Sequence, residues 1–92
     1  MTIRTATASE ASVVIATHTL ERSAALMRAV ASAVSQQPRP REVIVAVDNN
    51  LDLYEWVCRE VPGAIPVHNQ GLEGASATRN AGASVAVGSV LA

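Results

Sequence analysis

The sequence predicts an α/β protein built on a parallel sheet, with its elements in the order β-α-β-α-β-α-β. Residues Val43 to Val47 form an unbroken apolar run, mostly β-branched, too short for a free-standing helix and patterned like a strand buried on both faces. The run stops abruptly at Asp48-Asn49-Asn50, and the same change from a short apolar run to polar residues recurs at Thr17-His18-Thr19 and at His68-Asn69-Gln70. Between these runs the apolar spacing is helical. Short links between alternating elements favour parallel strands joined by right-handed crossovers.

Taken in order, residues 1–11 are rich in Thr, Ala and Ser without a period and are expected to form a flexible N-terminal tail, leaving 12–92 as the folded unit. Ser12 to Ala16 is the first strand. Leu20, Ala24, Met27, Ala31 and Val34 then recur at alternating spacings of four and three, which places them on one helix face. Thr19 is the expected cap, Glu21 suits the first turn, and Pro38 and Pro40 end the helix near Gln37. After the central strand, Asp52-Leu53-Tyr54-Glu55 has the form of a capping box, and Leu53, Trp56, Val57 and Val61 make the apolar face of a short helix closed by Pro62-Gly63. Cys58 reads as a small buried hydrophobe rather than a nucleophile. Ala64 to Val67 is the third strand, Ala75 to Val87 the third helix, and Val90-Leu91-Ala92 the start of a fourth strand.

Composition excludes several classes of function. All seven basic residues are arginines against eight acidic ones, a formal charge of -1, and aromatic residues make up 2% of the chain. Neither a basic footprint nor a stacking platform for nucleic acid is present. A lone cysteine permits no internal disulfide and no CxxC-type metal site. No apolar run resembles a signal peptide or reaches the roughly 20 residues of a membrane span, so the expected location is cytoplasmic.

The carboxyl ends of parallel strands are where open α/β folds bind ligands. Three polar strand ends, Thr17-His18, Asp48-Asn49 and Asn69-Gln70, fall on that edge together. Singly, Asp48 and its two asparagines also suit a turn and a helix cap. The dinucleotide fingerprint GxGxxG does not follow the first strand, and a Walker A loop is excluded because the chain has no lysine. What remains is a glycine-rich helix start bearing Arg79 and Asn80, either a phosphate-binding arrangement or a solvated helix charge.

The V-I-V-A-V strand followed by Asp48-Asn49-Asn50, then Pro62-Gly63, Asn69-Gln70-Gly71 and above all Gly74-Ala75-Ser76-Ala77-Thr78-Arg79-Asn80-Ala81-Gly82, resembles the N-terminal half of a family 2 glycosyltransferase. The resemblance covers Ser12 to the last residue. It implies a Rossmann-like, nucleotide-binding half of a GT-A domain, and a protein that takes a nucleotide-sugar donor, a UDP-sugar, and in full-length form transfers the sugar with inversion. Thr17 and His18 would line the nucleotide pocket near the base, Asp48 would accept a hydrogen bond from a uracil N–H, and Arg79 would sit near the base and diphosphate. Asn80 and Gly82 would shape the helix start.

The sequence departs from the family pattern after the first strand, where P-T-Y-N is A-T-H-T, and after the second, where D-D-G-S is D-N-N-L. The family's Asp-x-Asp motif, which holds Mg²⁺ or Mn²⁺ against the donor diphosphate, is absent from this chain, as is a catalytic base. The expectation is therefore an N-terminal piece without transfer activity of its own. Its unpaired sheet edge around Val85, Val87, Val90 and Leu91 would favour self-association. The alternatives are a stand-alone α/β nucleotide-binding or interaction module and one chain of a split enzyme.

Overall fold

The computed structural model describes residues 10–91. Its elements are β1 (Ala11–Thr17), a 3₁₀ turn (Leu20–Arg22), α1 (Ser23–Val34), β2 (Glu42–Asp48), α2 (Leu51–Glu60), β3 (Ile65–Asn69), α3 (Ala75–Val85) and β4 (Ser89–Leu91). The strands form one four-stranded sheet in the order β3-β2-β1-β4. All pairings are parallel. The predicted α/β class and element order therefore hold. The expected tail lies outside the described residues except for Glu10 and Ala11, and Ala11 is buried and opens β1.

β2 is central because every residue from Val43 to Val47 finds apolar cover, and none is more than 2% exposed. Alternate side chains of a strand point to opposite faces. Val43, Val45 and Val47 meet Leu26, Val30 and Ala33 of α1 and Leu53 and Val57 of α2. Ile44 and Ala46 join Val14 on the other face, against α3. There, Gly82 lets the helix approach closely: a Cβ at that position would lie 2.7 Å from Val14 Cγ1 and 3.2 Å from Ala46 Cβ. Pro66, which cannot donate to a ladder, is tolerated because β3 is an edge strand.

Four local expectations are corrected. α1 buries Leu26, Val30 and Ala33, while Leu20 and Met27 stay about 40% exposed and Ala24 and Ala31 are also exposed. An alanine-rich helix offers several apolar faces, the 3₁₀ turn breaks the phase between Leu20 and the helix, and the larger Leu26 and Val30 fill the space above the valine face. α2 is capped by Asn50 rather than Asp52: its side-chain oxygen accepts the Leu53 N–H at 3.0 Å. Leu53 is fully buried in the first turn, so the helix starts before the box would allow, and Asp52 contributes its charge to that turn instead.

Cys58 is exposed. It follows the buried Val57 and lies one helical turn from Tyr54, at the rim of the apolar face rather than in it. α3 ends at Val85, where Ala86 turns extended, two residues earlier than the spacing predicts.

At the amino-terminal edge of the sheet, the buried Ser12 hydroxyl donates to Glu42 and accepts the Gly88 N–H at 2.9 Å, and Glu42 also accepts the Val87 N–H at 2.7 Å. This network fastens the link between α3 and β4 across the start of β1 and β2. It holds the Glu42 carboxyl below its ordinary range, chiefly through the Ser12 hydrogen bond.

Candidate functional site

The register of the sheet sets Thr17 beside Val47 and Asp48 beside Asn69, so the polar strand ends meet at one edge as the sequence predicts. Three loops converge there, and each is tied by an amide. Asn49, in the left-handed region at φ 44°, donates its Nδ2 to Asp48 Oδ1 at 2.9 Å and to the Gly71 carbonyl at 3.2 Å. Asn50 donates to the His18 carbonyl at 3.2 Å while capping α2. Asn69, 8% exposed, donates to the Leu72 carbonyl at 2.7 Å and to Thr78 Oγ1 at 3.0 Å, and its Oδ1 accepts the Gly71 N–H.

Asp48 stands at the centre. Its Oδ2 accepts the Gly74 N–H at 2.9 Å, so a carboxylate of the chain itself takes an N–H at the start of α3 that an incoming phosphate would otherwise meet. Hydrogen bonds from Asn49, then Gly74 and Thr78, together with the positive field of His18, hold the Asp48 carboxyl below its ordinary range against a smaller opposing effect of burial. The side chain is an ionised, oriented acceptor at neutral pH.

Two adjoining clefts open at this edge. One, of about 60 Å³, is lined by Ala16, Thr17, His18, Asp48, Ala75 and Thr78. The other, of about 200 Å³, is lined by His18, Asp48, Asn49 and Glu73. Both are smaller than the roughly 300–1,000 Å³ of most ligand pockets.

Thr17, His18 and Asp48 are thus brought together. Arg79 is exposed on α3, next to Thr78, and lines neither cleft. Thr78 is a contributor that the sequence did not single out, and Asn50, read there as a turn and cap residue, also ties the loop after β1. The spacing of Ala75, Thr78 and Gly82 by three and four residues marks one helix face, and that signal would have placed Thr78 against the sheet. His68 falls outside the site, stacked on Tyr54 at 5.1 Å between ring centres. Among the described residues no three His, Cys, Asp or Glu side chains gather as a metal site would require.

The family model described as glycosyl transferase family 2 matches residues 12–92. The chain belongs to that family. Its four-stranded parallel sheet and three helices form the Rossmann-like N-terminal half of the GT-A fold. No curated protein and no solved structure matches the chain. Family 2 glycosyltransferases are inverting enzymes that bind a nucleotide-sugar donor in their full-length form. In this glycosyltransferase chain the edge bearing Asp48 is the carboxyl edge of the sheet, and no helix among the described residues is long and apolar enough to cross a membrane.

Proposed function

We propose that the chain carries the nucleotide-recognition part of an inverting glycosyltransferase, holding the base of a UDP-sugar donor in the cleft between β1, β2 and the start of α3. The observation that supports this is the fixation of Asp48, whose two oxygens are oriented by Asn49 and Gly74 while the side chain still lines both clefts beside His18. An ionised carboxylate only accepts, at about four lone-pair sites, and the bonds from Asn49 and Gly74 leave about two of them for a ligand. A ring N–H of the base fills one of them. Uracil offers that N–H where cytosine has a bare acceptor nitrogen, so a carboxylate here selects uridine over cytidine.

In this reading Thr17 and His18 form the wall beside the ring, and Arg79 serves the diphosphate from outside the cleft, its guanidinium supplying a charge that Asp48 and Glu73 oppose. The Mg²⁺ or Mn²⁺ implied by the family resemblance finds no fitting ligand set among the described residues, and no step is routed through it. Sugar transfer is not expected of this chain alone. It binds the nucleotide and leaves catalysis to groups it does not contribute.

Calorimetric titration of uridine, cytidine and UDP tests this. Uridine should bind more tightly than cytidine, Asp48→Asn and Asp48→Ala should each weaken uridine by ~10-fold or more, and Arg79→Ala should weaken UDP but not uridine. Equal binding of uridine by the wild type and both Asp48 variants would remove the site.

A further inference from the structure

We propose that Asn50 is a positioning residue for this site, fixing the loop after β1 through the backbone carbonyl of His18; the inference rests on the nucleotide reading above. Asn50 uses the two ends of one amide for two tasks. Its Oδ1 accepts the Leu53 N–H at 3.0 Å and caps α2, and its Nδ2 donates to the His18 carbonyl at 3.2 Å. The bond spans two loops that the chain itself does not connect. α2 is anchored to the sheet by the fully buried Leu53 and by Val57, so the amide is held from a rigid base.

His18, by contrast, is exposed, yet it lines both clefts. The hydrogen bonds that follow it in the chain are local ones, from Glu21 N–H to Thr19 Oγ1 and from Arg22 N–H to the Thr19 carbonyl. Thr17 is held opposite Val47 in the sheet, so the Asn50 amide is the cross-link that sets where His18 stands relative to Asp48, two residues before Asn50 in the chain. Only a side chain with both an acceptor and a donor can do both tasks. Aspartate can cap but cannot donate.

That difference separates the two roles. Asn50→Asp keeps the acceptor for Leu53, adds a charge favoured at a helix start, and places a carboxylate against the His18 carbonyl. Asn50→Ala removes both bonds. In the 92-residue chain, amide hydrogen exchange at Glu21 and Arg22 reports the loop, and exchange at Leu53 and Tyr54 reports the cap, since Tyr54 N–H is bonded to the Asn50 carbonyl.

For Asn50→Asp we expect exchange at Glu21 and Arg22 to rise by ~10-fold with Leu53 and Tyr54 unchanged, uridine affinity to fall by ~10-fold, and the melting temperature to stay at the wild-type value. Asn50→Ala should accelerate exchange at both places and lower the melting temperature. Wild-type exchange at Glu21 and Arg22 together with wild-type uridine affinity in Asn50→Asp overturns the proposal. A wild type that binds no uridine overturns the nucleotide reading and the functional half of the proposal with it, while the exchange comparison still decides whether Asn50 holds the loop.

Discussion

Gly82→Ala probes the contact that sets α3 on the sheet. The added methyl carbon would lie 2.7 Å from Val14 Cγ1 and 3.2 Å from Ala46 Cβ. Carbon atoms rest at about 3.5–4.0 Å, so the nearer contact must open by roughly 1 Å. Neither neighbour yields easily, because Val14 is 3% exposed and Ala46 is fully buried in the sheet. One turn earlier, the buried Thr78 is bonded to Asn69 and resists a tilt of the helix. In a free helix the substitution would stabilise by ~1 kcal/mol. Overpacking of this kind costs ~1–3 kcal/mol, so the net expectation is a loss of about 1 kcal/mol, at most about 2.

In a chain of this length each 1 kcal/mol shifts the melting temperature by ~4–8 °C, which thermal unfolding followed by circular dichroism resolves. Val14→Ala removes the obstructing methyl, and in the double variant the two effects should fail to add by about 1 kcal/mol. A Gly82→Ala chain more stable than wild type, with an effect additive to that of Val14→Ala, would refute the close approach. The contact matters for the site as well. A helix lifted off the sheet draws Thr78 and the Gly74 N–H away from Asp48.

Three further outcomes follow from the same structure. Ser12→Ala should lower stability in urea by ~1–3 kcal/mol, because it strips the buried hydroxyl that joins Glu42 to Gly88. Glu42 and Asp48 both titrate below their ordinary values of 4.5 and 3.8, Glu42 chiefly through Ser12 and Asp48 chiefly through Asn49. A lowered folded value means that the unfolded chain takes up the proton first, so their stabilisation is complete above the unfolded values and is lost as pH falls through the folded ones. Stability should be level from neutral pH to about pH 5 and fall below it, and Glu42→Gln and Asp48→Asn should each flatten the fall. Val85, Val87 and Val90 are 48%, 67% and 45% exposed around the β4 edge. Light scattering across a concentration series should show association, and Val87→Lys should suppress it.

The sheet was legible in the sequence because its signal is dense. A central strand covered on both faces must be apolar throughout, and Val43–Val47 is. The convergence of Thr17, His18 and Asp48 followed from parallel topology alone, since strand ends share an edge whatever their sequence separation. What failed was phase within alanine-rich helices. In α1 the stripe through Leu20 and Met27 is as regular as the one through Leu26 and Val30, and only the sheet's demand for volume chooses between them. Capping was legible only as a choice: Asn50 and Asp52 are both good caps, and Leu53, whose complete burial fixes where α2 begins, decided for Asn50. The long tie to Asp48 was not legible, because Gly74 reaches it across 26 residues, and no local pattern encodes such a contact.

The central claim is that the edge carrying Asp48 receives a nucleotide base. Titrating uridine into ¹⁵N-labelled chain tests it most directly, with amide resonances followed residue by residue. The account predicts saturable shifts confined to Ala16–His18, Asp48–Asn50 and Gly74–Thr78, and weaker shifts with cytidine. Saturable shifts elsewhere on the molecule, or none at these positions at millimolar uridine, would contradict it.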